Sequence, residues 1–312
     1  MNVRAAGFRD ASLLSAAVVL GAFVAPALPF VGLPIVAAGV AGLVYRSKAA
    51  AAGFAAAVGV AAVFASQGIE SLVFVALAIA AVLLGVALLP SRRAQSVGAG
   101  IVALLTLASF AELFLVARGF DVSGFFSTEM QRSLKELGPS VSAQFVKDAT
   151  EAIRTMSTIW PSAYFSVAVV TAVFVIGSIA WAGRRAGREI NVPSLSRLDL
   201  TPHVLWAFVV GLLLLAASYA GFSASSVFGV VGLNLVLCAR ALFALQGVGV
   251  FAGVLDRTGV GLGGRILALA ALAALDALTL SVSFVGLLDF WVNFRRLPRD
   301  GVTPAAPTEV DA

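Results

Sequence analysis

Apolar residues in this chain recur in long unbroken runs, without the regular polar interruptions of a soluble domain. The runs cover about 11–26, 29–45, 49–66, 70–90, 97–117, 161–183, 202–222, 227–255 and 266–290. Runs of about 17 residues or more match a hydrocarbon core of ~30 Å at a rise of ~1.5 Å per residue, so each is a candidate transmembrane helix. Pro26, Pro29 and Pro34 break or kink the first hairpin, and one of its arms is a candidate for a re-entrant segment. The expectation is therefore eight or nine spans.

Between Gly119 and Trp160 the hydropathy falls, and the pattern predicts two amphipathic helices. In the first, Ser127 is a cap, Met130, Leu134 and Leu137 share a face, and Gly138-Pro139 is the stop. In the second, Phe145, Ala149, Ala152, Ile153 and Met156 form an apolar stripe opposite Lys147, Asp148, Glu151 and Arg154. Two placements remain open for this pair, a lid over an outward cavity or helices lying in the membrane interface. Trp160-Pro161 and Thr201-Pro202 read as helix starts, with proline at or near the first helical position. The predicted fold is an all-α polytopic transmembrane helical bundle over 1–297. Its extracytoplasmic amphipathic segment falls at about 120–159, within 118–160, and a disordered tail occupies 298–312.

Composition narrows the class. Hydrophobic residues make up 60% of the 312 and charged residues 12%, against roughly 45–50% and 25% in soluble domains. Mean hydropathy is +1.02. An ordinary soluble enzyme is excluded, and the apolar runs leave no room for a separate soluble catalytic domain.

The net charge of +5 comes mostly from arginines spread over short loops, which fits membrane topology and anionic lipid rather than nucleic acid. Arg4 and Arg9, Arg46 and Lys48, Arg92 and Arg93, then Arg184, Arg185, Arg188 and Arg197 alternate with uncharged or balanced loops. That places these basic segments, and the N-terminus, on the cytoplasmic side. Arg295, Arg296 and Arg299 fit the rule with eight spans and violate it with nine. Arg4 and Arg9 before Ala11 to Ala25 resemble a secretory signal, but Pro26 sits badly for cleavage, so an uncleaved first span is the reading. Usage rich in Ala, Val, Gly and Arg with little Lys points to a GC-rich bacterial genome, hence a multi-pass protein of a bacterial cytoplasmic membrane.

Candidate chemistry is sparse. There is no HExxH, nucleophile elbow or Walker loop, and Gly259-Val-Gly-Leu-Gly-Gly264 follows no strand. No cofactor, metal site or enzymatic activity is expected. His203 is read as an interfacial histidine, and the single Cys238 can form no intrachain disulfide. Ala49, Gly53 and Ala57, and Gly249 with Gly253, have helix-packing spacing.

The informative residue is Arg240, near the middle of the run from Val227 to Leu255. An arginine there costs at least about 2.5–3.5 kcal/mol on insertion scales and usually pairs with an acid or faces a polar cavity. Glu112 and Asp276 are its chief candidate counter-charges, and Asn234 and Gln246 extend the polar set. Glu112, Asn234, Arg240, Gln246 and Asp276 are thus candidates for a buried polar cluster. It is either the floor of a small-molecule site or structural glue between helices.

The run Gly286-Leu-Leu-Asp289-Phe-Trp-Val-Asn293-Phe-Arg295-Arg296, with Gln246-Gly247 upstream, resembles the signature of the YybS-like bacterial membrane proteins, a domain of unknown function. The order of elements is similar too, although members often carry an acid where this chain has Asn293. Gly286, Asp289 and Arg295 are the signature positions. Asp289 and Arg295 are six apart, too far round a helix to stack directly, so separate partners are expected for them. At fold level the resemblance extends to the substrate-capture subunits of energy-coupling-factor transporters. It implies a substrate-binding or transport-associated subunit with a small-molecule solute, the lipid bilayer and energising membrane proteins as partners. The alternative is a membrane scaffold or assembly partner whose buried polar residues are structural.

Overall fold

The computed structural model describes residues 3–25, 27–46, 59, 69–117, 142–220 and 225–298, with a few single positions between 118 and 141. The expected span at 49–66 and the first amphipathic helix from Ser127 to Leu137, apart from a few positions, together with the ladder Ala49/Gly53/Ala57 and the tail beyond Pro298, lie outside the described residues.

Among the described residues the secondary structure is helical, with no strand. The helices are α1 (Val3–Val24), α2 (Pro29–Arg46), α3 (Ile69–Leu88), α4 (Ala94–Val116), α5 (Ala143–Arg185), α6 (His203–Ser218), α7 (Ser225–Arg257), α8 (Leu262–Thr279) and α9 (Ser281–Val292). A short 3-10 turn, Leu195–Arg197, precedes α6. The chain groups into two compact units, Met1–Val192 with Gly211–Cys238, and Pro193–Val210 with Ala239–Ala312. The division falls inside α6 and α7, so each of these helices contributes to both.

In the first unit α2 packs against α1, α3 and α5, and α4 packs against α3 and α5. Val18, Val36, Val40, Val82, Ile101, Val175 and Ile179 meet in its core. Small residues set the approach of α1 to α2: a Cβ on Gly21 would lie 2.7 Å from the Gly32 carbonyl oxygen, and one on Gly32 would strike the Ala25 backbone. The Tyr45 hydroxyl ties α2 to α3 by donating to the Val86 carbonyl at 2.8 Å.

Among the described residues, three helices have the length and apolar character to cross a membrane: Ala94–Leu115, Gln144–Arg185 and Ser225–Arg257. The candidates at 11–26, 29–45, 70–90 and 202–222 form shorter apolar helices. The candidate at 266–290 is not one straight helix. It is a bent pair, Gly263–Asp276 and Ser281–Val292, with 98° between the arms.

Helix α5 corrects a second expectation. Trp160-Pro161 does not start a helix, because α5 runs unbroken for 43 residues from the amphipathic stretch into the apolar one. Ser142 caps its start, its Oγ accepting from the Phe145 amide at 3.2 Å. Trp160 and Trp181 are twenty-one residues apart, about 31 Å at ~1.5 Å per residue, the separation of the two faces of a hydrocarbon core. The Arg185 guanidinium stacks 4.5 Å from the Trp181 ring at the second face. Residues 143–159 therefore form a stalk of about 25 Å continuing the span. The second amphipathic stretch is thus the N-terminal part of a long helix and not a helix of its own. Ile153 on the stripe is buried, while Phe145 and Met156 stay exposed.

Candidate functional site

Proline 161 has no N–H, and its ring crowds the carbonyl one turn back, so α5 needs outside help at this point. Asn234, on α7, supplies it. Its Oδ1 accepts from the Ser162 amide at 3.0 Å and its Nδ2 donates to the Thr158 carbonyl at 2.9 Å. The pair 162 and 158 would ordinarily bond to each other, and here the Asn234 amide is inserted between them. Nδ2 also donates to the Val230 carbonyl of its own helix at 2.9 Å, so the whole side chain is engaged. Above this splice lies an open groove of about 690 Å³, with Lys147, Glu151, Arg154, Thr158, Ile159 and Leu233 in its walls. Glu112, on α4 in the same unit, is half-buried and is not among the groove residues.

Arg240 and Asp276 lie in the second unit and are brought together. The Arg240 Nη2 donates to the Asp276 main-chain carbonyl at 2.9 Å and lies 3.4 Å from its Oδ2. That carbonyl belongs to the last turn of α8 and also accepts from the Leu280 amide at 3.0 Å. The guanidinium thus neutralises the negative end of α8. The Asp276 carboxylate does the converse for α9. Oδ1 accepts from the Ser283 amide at 2.6 Å and Oδ2 from the Ser283 hydroxyl at 2.7 Å, satisfying a first-turn N–H that α9 leaves open.

Between the helices Leu280 sits in the left-handed region at φ 59, which costs a residue with a Cβ roughly 1–2 kcal/mol. The break is therefore strained at one residue and neutralised from both sides. Arg240 is only partly used: its Nε is buried without a hydrogen-bond partner, and the side chain is 33% exposed.

Gln246 is fully buried and lies in a second cluster of the same unit. Its Nε2 donates to Asp289 Oδ2 at 3.0 Å and to Asp199 Oδ1 at 3.1 Å, while its Oε1 accepts from the Leu200 amide at 3.1 Å. Asp289 and Arg295 pair directly, with Nη2 to Oδ2 at 2.7 Å, which corrects the expectation of separate partners. The six-residue spacing would separate them on a helix, but α9 stops at Val292. Asn293, at φ 48 and ψ 56, turns the chain back so that Arg295 folds over the helix end. Asp289 Oδ1 accepts from the Phe294 amide at 2.9 Å and seals the turn. The Arg295 Nη1 donates to the carbonyls of Ser196 at 3.1 Å and Leu198 at 2.5 Å.

Small residues make room for this cluster. The Gly249/Gly253 pair does not receive a helix: Arg295 lies across it, its Nη1 3.0 Å from where a Gly249 Cβ would stand. The helix-to-helix contact is at Gly247 and Gly286. A Cβ on Gly286 would strike the Phe243 carbonyl oxygen, and one on Gly247 the Val282 carbonyl oxygen. Beside it, the Phe243 ring meets Phe208 and Phe290 edge to face, at 5.4 and 5.9 Å between centroids. Gln246-Gly247 and the signature residues Gly286, Asp289 and Arg295, far apart in the chain, are one packed site.

Within each unit the polar residues have separate partners. Arg240 joins Asp276, Gln246 joins Asp289 and Arg295, and Asn234 serves the first unit. Asp199 and Ser283 were missed. Asp199 has its signal in the loop before the Thr201-Pro202 helix start, but Ser283 becomes a partner only because the chain bends at Leu280. His203 is exposed as the first residue of α6, and Cys238 is half-buried. Among the described residues no three His, Cys, Asp or Glu side chains stand close enough to hold a metal ion.

Comparisons with curated proteins and with solved structures give no match. A family model described as "Predicted membrane protein (DUF2232)" matches residues 13–290, a stretch that includes Asn234, Arg240, Gln246, Asp276 and Asp289. The chain belongs to that family of membrane proteins of unknown function.

Proposed function

We propose that this protein is a solute-binding, transport-associated subunit of a bacterial cytoplasmic membrane, with its site where α8 breaks into α9. One observation carries the reading. Arg240 reaches this break with a guanidinium committed through Nη2 alone, its Nε buried without an acceptor and a third of the side chain open. Five N–H donors in a fixed fork suit a carboxylate or phosphate, and the pairing with Asp276 draws on Nη2 alone. Broken helices with charged residues at the break are a recurring way to build solute sites in transporters. The solute is thus a small molecule bearing an oxyanion, and the energising partner is a separate protein.

The test is native mass spectrometry of the protein purified from its own membranes, beside Arg240→Gln. A small acid retained by the wild type and lost in the variant is expected. Identical spectra, or lipid alone in both, overturn the proposal.

A second reading, the membrane scaffold, draws on the closed state of the other cluster. Gln246, Asp289 and Arg295 satisfy one another and leave little for a ligand. Partner proteins that copurify equally with wild type and Arg240→Gln, with no bound acid, favour that reading.

A further inference from the structure

We infer that α8 and α9 form a re-entrant hairpin that enters and leaves the bilayer on the same face, with its outer surface against lipid. The argument follows the partners of the hairpin along α7. Near its start, the Arg265 Nη1 meets Asp256 Oδ1 at 2.5 Å, beside the C-terminal end of α7. Eleven residues later Asp276 meets Arg240, well up the same helix. After the 98° bend the chain turns back: Val282 lies on Gly247, Asp289 on Gln246, and Arg295 over Gly249 and Gly253.

Ser196 closes the circuit. Its hydroxyl donates to Asp256 Oδ2 at 2.7 Å, and its carbonyl accepts from Arg295. Arg265, near the start of the hairpin, and Arg295, just past its end, are thus both held at the Asp256–Ser196 contact, Arg265 through the Asp256 carboxylate and Arg295 through the Ser196 carbonyl, at the same end of α7. A broken span would leave Arg295 near the opposite end.

Lengths agree. The 12 residues of α9 reach about 18 Å, too short for a core of ~30 Å. On α9 the contacts run from Val282 to Phe290, about 12 Å, yet they fall on α7 only between Phe243 and Gly247, about 6 Å. The helix therefore crosses α7 steeply and lies towards the membrane plane.

Its surface has the matching character. Val282, Ser283, Gly286 and Asp289 face inward, while Leu280, Phe284 and Trp291 are exposed on one side, followed by exposed Phe294 and Arg296. An apolar stripe on a helix whose opposite face is packed suits contact with lipid acyl chains. The charges agree too. Re-entrance keeps Arg197, Arg257, Arg265, Arg295 and Arg296 on one face, as the positive-inside rule requires, whereas a ninth span would divide them. This topology stands whether or not a solute binds at Arg240.

Sidedness of single cysteines tests it. In a Cys238→Ala background, Thr258→Cys and Pro298→Cys are labelled with a membrane-impermeant maleimide in sealed right-side-out and inverted vesicles, each normalised to labelling after permeabilisation. Both positions should react in the same vesicle orientation. Reaction in opposite orientations overturns the proposal.

Discussion

Asn234 occupies both groups that Pro161 disturbs, so its loss should be felt on α5 rather than on its own helix. Replacing it by Leu leaves the Ser162 amide and the Thr158 carbonyl without their partner, at about 1–3 kcal/mol for each buried group. Thermal unfolding of the purified protein should show a clear drop for Asn234→Leu. Pro161→Ala in the same background should recover most of it, since 162 and 158 can then bond directly. If the double variant loses as much as the single losses added, the splint does not exist. Arg295 poses a harsher case. Removing it leaves the fully buried Asp289 carboxyl without its counter-charge, at about 3–5 kcal/mol, and Arg295→Met should melt well below wild type. Arg295→Met with Asp289→Leu should recover much of that loss, because neither charge then remains. The sequence made these positions visible as polar residues in apolar runs. It did not reveal their pairing, because two backbone turns decide it: Leu280 and Asn293 both carry side chains at positive φ, and neither is the glycine that announces such a turn.

Between elements, contact depends on where glycine removes a side chain. Gly286→Ala should destabilise by about 1–3 kcal/mol or more, since its methyl meets the Phe243 backbone and cannot be accommodated by a rotamer change. Gly177→Ala is the control. Nothing lies within 4 Å of a Cβ there, and removing a helical glycine should raise the melting temperature slightly, by the equivalent of about 0.5–1 kcal/mol. In an Ala- and Gly-rich chain the ladder Gly249/Gly253 looked as good a helix contact as any. What distinguishes it from Gly247/Gly286 is Arg295, which reaches it from a part of the chain that no local pattern connects to α7. Helix boundaries were legible where hydropathy changes, as for α4 and α7. They were misread at Trp160-Pro161, because proline at a hydropathy step signals a helix start locally, while continuation through it depends on Asn234 some seventy residues away.

At the level of the whole chain, membrane class was legible from composition and run length alone, and the family match agrees with it. The count of spans was not, because 266–290 is long and apolar enough to cross as one helix, and no local pattern announces the 98° bend between its two arms. A reporter fused after Ala312 should therefore be digested by protease from the same side as a site inserted at Gly259. Digestion from opposite sides would restore the straight ninth span. The 43-residue α5 has a mechanical consequence as well. Its stalk projects about 25 Å beyond Trp160 from a point where one side-chain amide replaces a helical bond, so a tilt of about 10° there moves the far end by roughly 4 Å. Anything that grips this end of α5 holds a lever whose fulcrum is Asn234, and a push too weak to shift a packed helix bundle would register on α7 as the making or breaking of two hydrogen bonds.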